Sequence, residues 1–136
     1  MTEKSQELLS RIGRSMARSA PSGWEQTELR ITGAGPMSGT TLRATAGDNS
    51  TAHKIALDHD GQDAADDLRK EMYQPGKGAW YNATITLTHT GKLAANFDYD
   101  TPPFEGDADS DLLIEDDRLF PRDPEHLPPW HPAKTG

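Results

Sequence analysis

Residues 81–100 read YNATITLTHTGKLAANFDYD, and apolar side chains occupy every second position on both sides of a short polar link. The first half is apolar at positions 81, 83, 85 and 87, and the second half at 93, 95, 97 and 99. Joined by His89-Thr90-Gly91, the two halves are typical of a β-hairpin. Only one face of each strand is apolar, which predicts an antiparallel sheet covered on one side and open on the other.

Three shorter segments before this hairpin have the same period of two. Their apolar positions are 29 and 31, then 42, 44 and 46, then 53, 55 and 57. Glycine-containing stretches at 33–39 and 47–50 separate them and are expected to form turns. The sequence therefore predicts a three-stranded meander ahead of the hairpin, with the sheet occupying residues 24–100.

Helical spacing of apolar residues appears at two places beside these strands. Residues 3–19 place Leu8, Ile12 and Met16 on one stripe, and Pro21 and the residues after it end the helix. A second helix is predicted over 60–74, with acidic residues at its start and a stripe ending at Met72. The fold class is therefore α+β, with one antiparallel sheet of about five strands and helices on one face, in the order α-β-β-β-α-β-β-α.

The chain beyond residue 100 changes in composition. Residues 101–120 form an acidic segment with a short helix expected at about 110–120, and residues 121–136 carry five prolines. Proline excludes both a helix interior and a central strand, so we expect an extended tail that docks through Phe120, Leu127 and Trp130. The length of 136 residues fits a single domain spanning 1–136.

Composition restricts the class of function. The chain has no cysteine, which excludes disulfides, thiolate metal sites and cysteine nucleophiles. No apolar stretch reaches the roughly 18 residues of a membrane span, and the N-terminus lacks the apolar region of a secretory signal. These features predict a cytoplasmic protein that does not bind membranes.

The net charge of -8 is unevenly distributed. Residues 1–45 hold six Lys/Arg and four Asp/Glu, whereas residues 46–136 hold eight and eighteen. Such a surface repels nucleic acid, because affinity for phosphate backbones comes from basic side chains. It would attract a basic protein partner, although an acidic surface can also serve solubility alone.

No motif predicts catalysis, a metal or a cofactor. The five histidines are scattered, and none shows a metal-ligand spacing; they are His53, His59, His89, His126 and His131. The run Asp107-Ala108-Asp109-Ser110-Asp111 begins like a calcium loop, but Leu112 and Arg118 stand where that loop needs Gly and Glu. Gly76-Lys77-Gly78 leads into a strand and lacks the spacing of a phosphate loop. We therefore predict a protein that is not an enzyme.

Three motifs carry a family resemblance. They read DDLRKEMYQPGKGAWY at 66–81, GKLAANFDYD at 91–100 and LFPRDPEHLPPW at 119–130. Together they resemble the actinobacterial branch of the YezG-like immunity protein family. The resemblance implies a small α+β protein that neutralises the toxic C-terminal domain of a secreted polymorphic toxin, often a nuclease. It implies no catalytic site, and it implies that the tail motif folds back on the sheet.

The expected function is therefore that of an immunity protein, or antitoxin, which occludes the active site of a cognate toxin domain as a monomer in a 1:1 complex. Nine carboxylates fall within twenty residues, and aromatic or apolar neighbours could supply desolvated contacts. Trp80 and Tyr81 should point to opposite faces, with one of them exposed. The predicted partner-binding residues are Asp98, Asp100, Phe104, Glu105, Asp107, Asp109, Asp111, Leu113, Glu115, Asp116, Asp117, Trp80 and Tyr81.

Two alternatives from other classes remain open. One is a small hydrolase or metal-dependent enzyme that uses His53 or His89 with acidic residues of the hairpin. It requires these groups to converge in one pocket. The other is an adaptor that self-associates through the sheet edge or the open face, which would appear as a concentration-dependent dimer.

Overall fold

The computed structural model describes residues 1–46 and 53–134. Within these ranges one antiparallel sheet has the strand order β3-β2-β1-β4-β5. Its strands are β1 (Trp24–Ala34), β2 (Met37–Ala46), β3 (His53–Ile55), β4 (Asn82–Thr88) and β5 (Leu93–Asp98), and the helices are α1 (Glu3–Ser19), α2 (His59–Glu71) and α3 (Ser110–Leu119). The predicted class, strand number and element order are confirmed.

The connection between β1 and β2 differs from the prediction. Residues 33–39 were expected to form a loop, but the strands remain paired up to Ala34 and Met37. Gly35 and Pro36 alone make the turn, and Gly35 has a φ of +58°, which glycine adopts without strain. The glycines at 33 and 39 therefore lie within strands. The second expected turn, at 47–50, lies outside the described residues.

The second helix is shorter than predicted. It ends at Glu71 instead of residue 74, and Met72 caps it. The chain then folds into a tight loop in which Gln74 pairs with Gly78, so residues 73 and 74 cannot continue the helix. This loop leads directly into β4.

The core lies between one face of the sheet and the helices α1 and α2. Ile12 and Met16 of α1 and Leu68 of α2 are fully buried against Leu29 and Ile85 of the sheet. Burying one such side chain contributes on the order of 2 kcal/mol. The opposite face of the sheet carries the polar side chains of the strands, as the alternation predicts. None of the helices in the described part of the chain is long and apolar enough to span a membrane.

The proline-rich tail packs against the body through Arg122. The Arg122 guanidinium is buried and donates hydrogen bonds of 2.9–3.0 Å to the backbone carbonyls of Ala79, Tyr99 and His126. It also lies 4.3 Å from the ring centroid of Tyr81. The tail is therefore fixed at the start of β4 and at the end of β5.

His131 fastens the tail to α3. Its Nε2 lies 3.2 Å from the Leu113 carbonyl oxygen, and its Nδ1 accepts a hydrogen bond of 3.0 Å from the Ala133 N–H. A neutral ring with its proton on Nε2 satisfies both contacts. Burial lowers the pKa of His131 below its usual 6.5.

Protein stability is expected to decrease as the pH falls below about 6.5, because the unfolded chain then binds a proton that folded His131 resists. Urea unfolding at pH 7.5 and pH 5.0, followed by tryptophan fluorescence, measures this loss. Glutamine at position 131 can still donate to the Leu113 carbonyl and does not titrate. His131→Gln should therefore show a smaller stability difference between the two pH values, and an equal difference would contradict the assignment.

Candidate partner-binding surface

The acidic segment, Asp98–Asp117, leaves the end of β5 and crosses the rim of the sheet. Its first anchor is a short 3-10 turn at Pro103–Gly106, in which Pro103 is buried. The Phe104 N–H donates a hydrogen bond of 2.8 Å to Thr32 Oγ1 on β1. The segment is therefore attached to the open side of the sheet.

Two residues in this turn have unusual backbone angles. Phe104 and Glu105 have φ values of 55° and 56°, and they are the only non-glycine residues with positive φ in the described ranges. Such a conformation costs on the order of 1–3 kcal/mol per residue and persists only where the surroundings impose it. Here the anchors at Pro103 and Thr32 impose it. The Phe104 side chain stays half-buried beside Gly39, while Glu105 is exposed.

The acidic segment then enters α3, where Asp109 is the N-cap. Its carboxylate accepts a hydrogen bond of 2.8 Å from the Leu112 N–H. Five predicted contact residues have exposed carboxylates, and none forms an ion pair with another described residue. They are Asp100, Glu105, Asp107, Asp109 and Asp111.

The prediction that Asp116 contacts a partner is wrong, because its carboxylate is buried. It lies 2.8 Å from Arg69 Nη2, with side-chain exposures of 3% and 5%. Asp116 Oδ1 also accepts the Gly35 N–H at 2.7 Å, and Arg69 Nε donates to the Trp80 carbonyl at 2.7 Å. This pair ties α3 to α2 and to the β1–β2 turn.

Leu113 is likewise unavailable to a partner, since it is 7% exposed and faces the interior. The sequence offered a signal for both residues. Leu113, Asp116 and Phe120 follow each other at helical spacing, which places Asp116 on the inward stripe of α3.

Three further predicted carboxylates are engaged within the molecule. Asp98 accepts the Asp100 and Thr101 N–H groups; its partial burial would raise its pKa, but hydrogen bonds from Thr101 and Asp100 hold that pKa below its usual value. Asp117 accepts the Arg122 N–H at 3.1 Å. Glu115 pairs with Arg118, and this hydrogen bond lowers the pKa of the Glu115 carboxyl. These groups orient the segment more than they present charge.

The prediction that Trp80 or Tyr81 is exposed is wrong. Trp80 is in the core, with its ring 5.6 Å from Phe97, and Tyr81 is covered by the tail, with its ring 5.1 Å from Trp130. Burial raises the pKa of Tyr81 to about 12. The two rings do belong to different environments, but each environment excludes solvent.

The open face of the sheet holds a groove that sequence reasoning missed. Its volume is about 510 Å³, and side chains of all five strands and of the acidic segment line it. Three of its residues are cations on adjacent strands, which we call the cationic corner: Arg30 on β1, Arg43 on β2 and Lys54 on β3. Each of the three falls at a polar position of an alternating segment, which is the only signal in the sequence that places them on the open face.

The histidines do not assemble a site with the hairpin acids in the described part of the chain. His89 is exposed in the β4–β5 turn, and its N–H donates to the Glu25 carbonyl at 2.8 Å. The side chain of His53 lies outside the described residues. Among those described, one group offers three metal-ligating atoms within 4.8 Å of one another, formed by Asp123, Glu125 and His126 in the tail. Glu125 and His126 line an open groove of about 660 Å³ together with Tyr99 and Arg122. His126 Nδ1 is buried and has no hydrogen-bond partner among the described residues.

Three large apolar side chains are exposed on α3 or near it. Ile114 and Leu119 are 46% and 39% exposed, and Met37 in the β1–β2 hairpin is 57% exposed. Leu119 and Met37 line a groove of about 400 Å³ with Phe120.

No family model matches this chain, and no curated protein matches it.

Proposed function

We propose that this protein is a cytoplasmic immunity protein that binds a cognate toxin domain and blocks access to its active site. The observation that carries the proposal is the set of exposed, unpaired carboxylates on the anchored acidic segment. The resemblance of residues 66–81, 91–100 and 119–130 to an immunity family supports the same function.

The charge of the acidic segment supports a partner with a basic surface. Asp100, Glu105, Asp107 and Asp111 project from a segment whose ends are fastened to the sheet and to α2. A toxin that acts on nucleic acid has a basic cleft, which would accept carboxylates where it accepts phosphates. Opposite charge increases the association rate, and the half-buried Phe104 and exposed Leu119 provide apolar area that slows dissociation.

The test begins with capture of the partner from the native cell by tagged protein at low and high salt. The retained proteins are identified, and the C-terminal domain of any secreted protein among them is expressed alone in a neutral host. We expect that domain to be toxic and co-expression of the immunity protein to restore growth. A domain that binds but whose toxicity is unaffected would contradict the proposed function.

The contact surface is tested by a triple variant, Asp107→Asn/Asp109→Asn/Asp111→Asn. Asparagine keeps the N-cap at position 109, so the variant removes three charges without removing the cap. We expect roughly tenfold or greater weakening of toxin-domain binding at low salt, measured by calorimetry, from the loss of three charge contacts.

The matched control removes three exposed carboxylates elsewhere, in Glu3→Gln/Glu7→Gln/Glu25→Gln. It changes the net charge equally and should weaken binding by less than threefold. Equal losses in both variants would show that net charge acts alone and would remove the acidic segment from the interface. Recovery of only the tagged protein's own copies would favour the self-associating adaptor.

A further inference from the structure

The cationic corner contains two like charges held side by side. Arg43 and Lys54 are directly opposite each other on the antiparallel strands β2 and β3. Both side chains are exposed, and neither forms an ion pair with another described residue. Like charges at directly opposed positions destabilise a sheet, so this pair reduces stability unless an anion lies between or above them.

The nearest carboxylate on the sheet does not neutralise this pair. Glu28 is opposite Arg43 on β1, but its carboxylate accepts a hydrogen bond of 2.9 Å from Arg30 Nε. Glu28 and Arg30 thus compensate each other, and within residues 1–46 and 53–134 no carboxylate forms an ion pair with Arg43 or Lys54. This is notable in a chain that has 22 acidic and 14 basic residues.

The remainder of the groove suits a peptide more than a small ion. Thr41 and Thr84 offer hydroxyl groups on its floor, and Phe104 forms part of its lining near the acidic segment. The Asn82 amide nitrogen is already engaged, since it donates a hydrogen bond of 2.9 Å to the Thr101 carbonyl. The groove is open along the sheet and is wide enough for several side chains at about 510 Å³. Polar floor residues with an aromatic at one end are typical of a wet protein interface.

We propose that the open face binds an acidic segment of a protein partner, whose carboxylates are held by Arg43 and Lys54. The identity of that partner as the toxin domain rests on the proposed function, whereas the carboxylate chemistry does not. Nucleic acid is the less suitable anion, because its continuous phosphates would also meet Asp98 and Glu105 in the same groove. A carboxylate side chain of a peptide, in contrast, can bind Arg43 and Lys54 without placing a second charge beside Asp98 and Glu105.

The interface that we propose contains one negatively charged surface and one positively charged surface. The acidic segment contacts basic residues of the partner, and the cationic corner contacts acidic residues that lie beside them. Two contacts of opposite sign on one face permit a single orientation of the partner, since the reversed orientation would oppose like charges. The open face would thereby determine which toxin domain is recognised. The acidic segment would determine the rate at which the two proteins associate.

The experiment uses two synthetic octapeptides, one alternating Glu and Gly and one alternating Lys and Gly, titrated into the ¹⁵N-labelled full chain at low salt. We expect the Glu peptide to shift the amide signals of Arg43, Lys54 and their strand neighbours. In Arg43→Gln/Lys54→Gln its affinity should fall roughly fivefold to tenfold, from the loss of two exposed charge contacts. The dispersed amide spectrum of the variant reports whether it is folded.

The matched control is Lys4→Gln/Arg14→Gln, which removes two exposed cations from α1 and changes the net charge equally. It should leave Glu-peptide binding within twofold of the unchanged protein. The proposal would be overturned if the Glu peptide caused no shifts or shifted only amides away from the sheet. It would also be overturned if both variants lost the same affinity for the Glu peptide.

The Lys peptide tests the other surface independently. It should shift the amides of Asp107–Asp111 and leave those of β2 and β3 in place. A failure of this arm alone would count against the acidic contact in the proposed function and leave the cationic corner intact. If only the Glu peptide failed to bind, the result would count against the cationic corner and leave the acidic contact of the proposed function intact.

Discussion

Asp116→Ala is expected to lower the free energy of unfolding by about 3–5 kcal/mol, because it leaves the buried Arg69 guanidinium without its counter-charge. The substitution also removes the acceptor of the Gly35 N–H, which lies 2.7 Å from Asp116 Oδ1 in the folded protein. A buried donor that loses its partner adds on the order of 1–3 kcal/mol, so the loss should lie in the upper half of that range. Urea unfolding at pH 7.5 measures it.

Two further variants test whether the loss comes from the unpaired buried charge or from removing any carboxylate of α3. Asp111→Ala removes an exposed carboxylate from the first turn of the same helix and should change stability by no more than about 0.5 kcal/mol. Arg69→Met/Asp116→Leu removes the buried charge that Asp116→Ala leaves unpaired and should therefore be less destabilising than Asp116→Ala. It does not restore full stability, because the Gly35 N–H and the Trp80 carbonyl lose their partners. If Asp116→Ala were as mild as Asp111→Ala, the ion pair would not hold α3 in place.

Arg122→Met is expected to cost about 3–5 kcal/mol, although the Arg122 guanidinium forms no ion pair with a carboxylate in the described part of the chain. Its guanidinium satisfies the three carbonyls of Ala79, Tyr99 and His126, and each carbonyl left unpaired in the interior costs on the order of 1–3 kcal/mol. Loss of the cation above the Tyr81 ring, at 4.3 Å, adds to this cost. The tail should therefore detach from the body.

Limited proteolysis and near-ultraviolet circular dichroism measure this detachment, since Tyr81 and Trp130 lose their packed environment with it. Arg118→Met, which removes an exposed arginine on α3, is the control and should remain resistant to protease. Gly78→Ala should resemble Arg122→Met, because a Cβ at position 78 would lie 2.5 Å from Arg122 Nε at a φ of +83°. A protease-resistant Arg122→Met protein would refute the tail's dependence on this residue.

Alternating hydrophobicity was sufficient to predict the strands, and in β1 and β4 the apolar positions are the buried ones. Residues 82–88 are the clearest case, with burial that alternates at every position. In β5 the pattern predicted the strand but not its burial, because Leu93 and Ala95 are exposed although the strand pairs with β4 along its length. The alternation was insufficient for the β1–β2 turn, because glycines at 33 and 39 resemble loop residues and only strand pairing shows that they continue the ladder. Local composition and long-range pairing disagreed there, and pairing determined the structure.

The candidate site was predicted less well, for a physical reason. In a run of carboxylates, charge alone does not distinguish Asp116 from Asp111. The helical spacing of Asp116 with Leu113 indicates that it faces inward, but nothing in the sequence identifies Arg69 as its partner. The cationic corner was hidden for a similar reason, since Arg30, Arg43 and Lys54 become neighbours only through the register of three strands. Trp80 and Tyr81 were misjudged because the tail, which is distant in sequence, covers the second ring.

The anchoring of the acidic segment separates the residues that fold the protein from those that would meet a partner. Pro103, Thr32 and Asp116 anchor the segment to the body. The carboxylates of Glu105, Asp107 and Asp111 are exposed and form no ion pair within the described part of the chain. Substitutions at these exposed positions should change stability by no more than about 0.5 kcal/mol. The proposed contact residues can therefore be substituted without changing the residues on which the fold depends.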